Sequence, residues 1–295
     1  MISTITSTPV GTEHSVISEG YRLYIWEKCL ESEQQESLGG TRAALLVHGG
    51  TYSGPTDYDI QVPGKDYSLM DYLARRGFDV FTFAVRGYGR SERPDDPSIV
   101  TTDAGVRDTE AVIEHICQLR GVSSVDLLGW SWGGRMTSLY ATHHPERVRH
   151  LILFAGGAGS VLSRNRVFPT DPWTVITREN IMARIEQEHV IPDMQEAFIK
   201  AALGFDIKSP NIALRIMRGN SEPAPVAPED ITVPTQIIYG ALDEGWQPDN
   251  VSNFFARLNT PDKALTVFPD SGHFLFLQKP RARFFNAVEQ WFSQE

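Results

Sequence analysis

Cysteine is nearly absent from this chain. Cys29 and Cys117 stand far apart and outside any Cys-x-x-Cys or Cys/His ligand spacing, so both are expected as reduced, buried thiols, and no metal site is expected from them. Positive charge is also in short supply: 27 Lys+Arg face 37 Asp+Glu, a formal charge of -10 that repels phosphate backbones and anionic bilayers alike. Neither nucleic acid nor membrane is therefore an expected partner. No uninterrupted apolar run approaches the roughly 18 residues needed to cross a bilayer, and "MISTITSTPVG" lacks a basic stretch followed by an apolar one, so a cytoplasmic location is expected. Internal repeats are missing too. What is present is a 41% hydrophobic composition over 295 residues, enough for one large domain, or one domain with a sizeable insertion, as a monomer or homodimer.

The apolar runs are of two kinds that alternate. "YRLYIWEKCL" (21–30) alternates like a half-exposed antiparallel edge strand. "RAALLVHGG", "FDVFTFAVRG", "SVDLLGW", "VRHLILFAGG", "TQIIYGALD" and "ALTVFPDSGH" carry short apolar cores suited to strands buried on both faces. Between them "YSLMDYLARRG", "TDAGVRDTEAVIEHICQLRG" and "WGGRMTSLYATHHPERV" have helical spacing, with Gly121 placed for a left-handed helix end. The pattern predicts a mainly parallel sheet covered by helices. "VSNFFARLN" and "PRARFFNAVEQWF", the latter opening on Pro280, predict two further helices. From about Ser160 to Asp230 no strand is expected, only three helices: one capped by Thr177, one from Pro192 closed by Gly204, and one from Ser209-Pro210 ending before Gly219. The predicted organisation is a core of residues 1–159 and 231–295 with a helical cap over 160–230.

Within "VDLLGWSWGGRM" (125–136) a strand gives way to a helix at Gly129-x-Ser131-x-Gly133. A turn within about one residue strains the turning residue and brings neighbouring backbone close, which small flanking residues permit. Ser131 would then be exposed at the carboxyl end of its strand, beside helix amides that favour a developing anion. A serine hydroxyl needs a general base, and the base an orienting acid. Of eight histidines, His273 in "PDSGHFLF" is selected because it follows the last strand. His14, His115, His143, His144, His150 and His189 read as surface or packing residues, and His48 as a shaper of the loop after its strand. Asp243 in "IIYGALDEG" is the expected acid, with Glu244 and Asp249 as alternatives. The order Ser131, Asp243, His273 is that of a nucleophile-elbow hydrolase. An oxyanion hole needs two aimed backbone N–H groups. Trp132 would supply one and Gly50 of "LLVHGGTYSG" the other, with Thr51 as the alternative. Thr51, Tyr52 and Trp130 are the expected substrate contacts.

Taken together, "VHGGTYSG", "FAVRGYGRSERP", "LLGWSWGGRM", "YGALDE" and "SGHF" resemble the α/β-hydrolase superfamily in order and spacing over nearly the whole chain. The resemblance implies an α/β fold with about eight strands in a mostly parallel sheet, a helical cap inserted after the sixth core strand, and a structural role for "RGYGRS". A serine at the elbow departs from the haloalkane dehalogenases and epoxide hydrolases of this fold, which use aspartate there. The expected activity is hydrolysis of an ester or lactone small-molecule substrate through an acyl-enzyme, requiring no cofactor and no metal. Carbon-carbon bond hydrolysis or another cofactor-free reaction using His273 as base is the alternative, then a non-catalytic receptor. Phe168, Trp173, Ile181, Met182, Phe198 and Met217 in the cap suit a medium-sized apolar or aromatic substrate, and would equally serve to fasten cap to core.

Overall fold

In the computed structural model, which describes residues 8–30, 42–159, 171–185, 189–211 and 226–294, the short apolar runs become strands of one eight-stranded sheet. The chain enters through β1 (Pro9–Ser18) and β2 (Tyr21–Leu30). It continues through β3 (Arg42–Val47), α1 (Gly54–Tyr58), α2 (Leu69–Ala74), β4 (Phe78–Phe83), α3 (Thr102–Arg120), β5 (Val125–Trp130), α4 (Trp132–His143) and β6 (Val148–Phe154). A segment with β7 (Trp173–Val175), α5 (Arg178–Met182), α6 (Pro192–Phe205) and β8 (Lys208–Pro210) follows. The sheet then resumes with β9 (Thr235–Gly240), α7 (Pro248–Arg257), β10 (Lys263–Phe268) and α8 (Arg281–Phe292). The strand order is β1-β2-β4-β3-β5-β6-β9-β10, antiparallel from β1 to β4 and parallel from β4 to β10. β3, β4, β5 and β9 are buried almost throughout, as their continuous apolar character requires of strands covered on both faces.

Local signals explain the helix ends. Thr101 caps α3 by accepting the Ala104 N–H at 3.2 Å, and Gly121 ends it in the left-handed region at φ 64°. Thr177 and Asn180 form a reciprocal capping box on α5. Both cysteines are buried, and neither forms a disulfide.

Several expectations are corrected. The run 21–30 is not the edge: β1 pairs along its full length, and the Glu19-Gly20 turn, with φ of 47° and 88°, closes the hairpin in the sense that strand twist favours. The polar members of β2 are buried because they have partners, Lys28 on Asp71 at 2.9 Å and Glu27 on Arg120 and His14. β10, predicted to be covered on both faces, is instead a half-buried edge strand. Strands do occur between residues 160 and 230, since β7 and β8 form a two-stranded antiparallel ribbon; Ser209-Pro210 lies in β8, and the helix expected to follow it falls outside the described residues. Gly204 sits inside α6, which ends at Phe205, and Pro280 precedes α8 rather than opening it. Residues 212–219, Phe168 and Met217 lie outside the described residues.

Candidate active site

β5 ends at Trp130 and α4 begins at Trp132, leaving Ser131 to make the whole turn. It does so at φ 55° and ψ -114°, a region that non-glycine residues occupy only under constraint. The constraint is visible: the Ser131 N–H donates to Phe154 O at 2.8 Å, and its carbonyl accepts the Gly134 N–H at 3.1 Å. A Cβ on Gly129 would lie 2.4 Å from the Gly133 carbonyl oxygen, and one on Gly133 2.4 Å from that of Val47. The elbow glycines therefore answer to backbone crowding, from the first turn of α4 at Gly129 and from the end of β3 at Gly133.

His273 reaches the same rim from the loop after β10. Its Nε2 lies 3.0 Å from Ser131 Oγ, and its Nδ1 lies 2.7 Å from Asp243 Oδ2. One tautomer satisfies both contacts, with Nδ1–H donating to the carboxylate and Nε2 accepting the serine hydroxyl. Asp243, in the turn after β9, is buried, and its other oxygen accepts the Gly245 N–H at 2.8 Å. Glu244 and Asp249, the alternative acids, point to solvent. The imidazole remains 29% exposed at its side chain, so a bound molecule or water can reach it. Hydroxyl, imidazole and carboxylate in this sequence can pass a proton from serine to histidine while the carboxylate stabilises the imidazolium.

The loop after β3 is fixed peptide by peptide. The His48 ring donates from Nδ1 to Gly49 O at 2.7 Å and accepts the Val85 N–H at Nε2 at 3.0 Å, which is the loop-shaping role expected of it. The Gly49 N–H goes to Asp57 Oδ2 at 3.3 Å. Tyr88 of "RGYGRS" donates its hydroxyl to Gly50 O at 2.9 Å. In a trans peptide the next residue's N–H points opposite to the carbonyl. Anchoring Gly49 O and Gly50 O therefore orients the N–H groups of Gly50 and Thr51, the two alternatives named from the sequence. On the other side, Trp132 contributes a first-turn amide of α4, where intrahelical acceptors are lacking.

The three expected substrate contacts are placed differently. Thr51 is half-buried and accepts at Oγ1 from Arg184 Nη1 at 2.8 Å. Tyr52 is fully buried, its ring edge-on to Phe198 at 4.9 Å, and burial raises its phenol's pKa. Trp130 is 3% exposed, and its indole N–H donates to His273 O at 3.1 Å. Trp130 and Tyr52 are thus packed inside the site walls rather than presented to its opening. Asp57 and Asp206 were not singled out from the sequence, yet both are buried beneath the loop. Burial and the neighbouring Asp206 charge hold the Asp57 carboxyl well above its ordinary range, and burial pushes Asp206 up to about 6.

Among the described residues, Glu27, Cys29 and Asp79 are the side chains close enough to share a cation. The Arg120 guanidinium already bonds both carboxylates there, so a cation would have to displace it. A cleft of about 540 Å³ lined by Arg42, Arg149, His150 and Asp262 lies at the amino ends of the strands, away from Ser131. No helix of the described residues is long and apolar enough to cross a membrane.

Residues 45–184 match the family described as alpha/beta hydrolase fold, a span that contains Ser131 but neither Asp243 nor His273. The chain is 32% identical over 112 residues to the proline iminopeptidase of Lactobacillus helveticus, covering 37% of this chain and 34% of that protein. The chain thus spans about a third of the length of the curated relatives of that name from this organism. Among solved structures it superposes on an esterase from Exiguobacterium antarcticum (TM-score 0.67, 19% identity, 96% of this chain and 100% of that one). It also superposes on the enol-lactonase of Burkholderia xenovorans (TM-score 0.67, 15% identity, 95% and 100%).

Proposed function

We propose that this chain, which has the α/β-hydrolase fold, is a serine hydrolase that cleaves an ester or lactone of a medium-sized apolar or aromatic small molecule. The observation that carries the reading is the continuous contact from Asp243 through His273 to a serine held at positive φ. In the first half-reaction His273 Nε2 takes the Ser131 proton as Oγ attacks the substrate carbonyl carbon. Negative charge collects on the carbonyl oxygen, where the N–H groups of Trp132 and of Gly50, or its neighbour Thr51, receive it. Each such donor contributes roughly 2.7 to 4 kcal/mol of transition-state stabilisation. Collapse expels the alcohol, protonated by His273. Water, deprotonated by the same imidazole, then attacks the acyl-serine ester and releases the acid.

Phe274, which follows the base, is buried with its ring 5.2 Å from Trp130 and 6.1 Å from Phe198, so the layer of the protein behind His273 is apolar. Ile181 and Phe198, named from the sequence as possible cap contacts, are fully buried and fasten the segment between β6 and β9 to the core. The similarity to proline iminopeptidase brings in a peptide bond as a second substrate class, served by the same steps with an amine leaving group.

Labelling with a fluorophosphonate probe and peptide mapping tests the reading. A single adduct on Ser131, lost in Ser131→Ala together with at least about 10³-fold of the activity, is expected. Folded protein that acquires no adduct at Ser131 refutes it. A panel of p-nitrophenyl esters, lactones and prolyl p-nitroanilide then separates the substrate classes.

A further inference from the structure

The loop that carries Gly50 and Thr51 is held from two directions. The core holds its first half, through His48, Asp57 and Tyr88. Its second half is held by the segment between β6 and β9. Asp206, which follows α6 and is fully buried, accepts the Ser53 N–H at Oδ1 at 3.0 Å and the Thr56 hydroxyl at Oδ2 at 2.6 Å. Arg184 of the same segment donates to Thr51 Oγ1, and Phe198 of α6 packs on the Tyr52 ring. Three successive parts of the chain after Gly50, namely Thr51, Tyr52 and the start of α1 from Ser53 to Thr56, therefore take their positions from residues more than 130 positions away.

A carboxylate buried this completely is costly unless its lone pairs are used, and burial is what drives its pKa up to about 6. Both acceptor atoms are spent on the stretch from Ser53 into the first turn of α1, with the Gly89 N–H as a further donor. An apolar side chain of similar size would glue α6 to the core without that cost, whereas a bidentate acceptor fixes the distance between Ser53 N and Thr56 Oγ1 and hence the curvature of the chain leading back to Gly50.

We propose that Asp206 is a positioning residue for the oxyanion hole, so that the segment between β6 and β9 completes the catalytic machinery rather than only covering it. The proposal rests on the serine-hydrolase reading above. Asp206 touches no reacting atom; it acts through the Ser53–Thr56 backbone on the Gly50 and Thr51 amides. Because those amides meet charge that develops only in the transition state, loosening them lowers kcat and leaves KM nearly unchanged.

The test compares Asp206→Leu, Asp206→Asn and Thr56→Val with wild type on a p-nitrophenyl ester, alongside their rates of fluorophosphonate labelling. Asp206→Leu removes both acceptors at similar volume and is expected to lower kcat roughly tenfold to a hundredfold with KM within about threefold, and to slow labelling in parallel. Asp206→Asn keeps a carbonyl for the Ser53 N–H and offers its amide to Thr56 Oγ1, so it is expected to restore most of kcat. Thr56→Val keeps the packing and removes one bond. It is expected to lower kcat roughly threefold to tenfold, and it decides the matter if the leucine variant does not fold. Unchanged kcat in folded Asp206→Leu or in Thr56→Val, a loss confined to KM, or equal losses in the leucine and asparagine variants would each overturn the proposal. Wild-type protein that fails to label on Ser131 removes the hydrolase reading itself, whereas labelled wild type with an indifferent position 206 removes only the positioning role.

Discussion

Replacing Trp130 with phenylalanine separates a buried strut from a substrate contact. The indole packs between the parts of the candidate site: a Cβ on Gly49 would come within 2.7 Å of it, the His273 ring lies 5.2 Å away, and Phe274 and Phe276 stand edge-on at 5.2 and 4.9 Å. Its N–H donates to His273 O. Trp130→Phe deletes that donor, leaving a carbonyl short of a partner at a cost of about 1 to 3 kcal/mol, and the smaller ring leaves a gap worth about another 1 kcal/mol. The sum of about 2 to 4 kcal/mol corresponds to a Tm lowered by roughly 3 to 7 °C for a chain of 295 residues. The rate is the sharper readout. Freed of its tether, the His273 backbone can shift, and a displacement on the order of 1 Å in a reacting group costs about a hundredfold. We expect kcat on a p-nitrophenyl ester to fall tenfold to a hundredfold (roughly 1.4 to 2.7 kcal/mol) with KM little changed. A variant that melts lower yet keeps wild-type kcat would refute the strut and leave Trp130 as ordinary core. A change confined to KM would return it to the substrate.

The other expectations are briefer. Asp243→Asn, which removes the acceptor that fixes the imidazole tautomer, is expected to cost roughly 10³- to 10⁴-fold in kcat, while Glu244→Gln stays within about twofold; steady-state kinetics on both decides between the adjacent acids. Burial and the Glu27 charge raise Asp79 to about 8, far above the roughly 3.9 of an unfolded aspartate, so its contribution to stability is whole below about pH 4 and lost progressively as pH rises toward 8. Urea unfolding at pH 5, 6.5 and 8 should show Asp79→Asn gaining on wild type by at most about 1.4 kcal/mol per pH unit, with no further gain above about pH 8. Parallel curves would mean that Arg120 already compensates the charge.

What the sequence discloses about this molecule follows a physical division. Continuous apolar runs separated by helical spacing state that strands are covered on both faces, and a serine between glycines at a strand end states where backbone must crowd. Both are local, and both are found in the structure save at β10, which is a half-buried edge, with Ser131, Asp243 and His273 meeting at one edge of the sheet. β1 escaped because an edge strand needs apolar residues on one face only, and "PVGTEHSVIS" shares its polar alternation with a solvated tail. The β7 and β8 ribbon escaped because three-residue strands carry no period to read.

Asp206 and Asp57 escaped for a deeper reason. In "ALGFDIKSP" and "GPTDYD" each looks like any acid in a turn, and nothing nearby signals burial. What makes burial tolerable for Asp206 is a partner 150 residues away, Thr56. Charge burial is decided by tertiary pairing, whereas hydrophobic burial is announced by composition. The hydrogen bonds that aim the loop amides therefore lie at positions a motif search passes over, even though the groups they aim sit beside the glycines it finds. For the same reason, grafting "VHGGTYSG" and "GWSWGG" onto another sheet of this topology would carry over the strained serine but leave the Gly50 and Thr51 amides unaimed, unless residue 206 and its segment came with them.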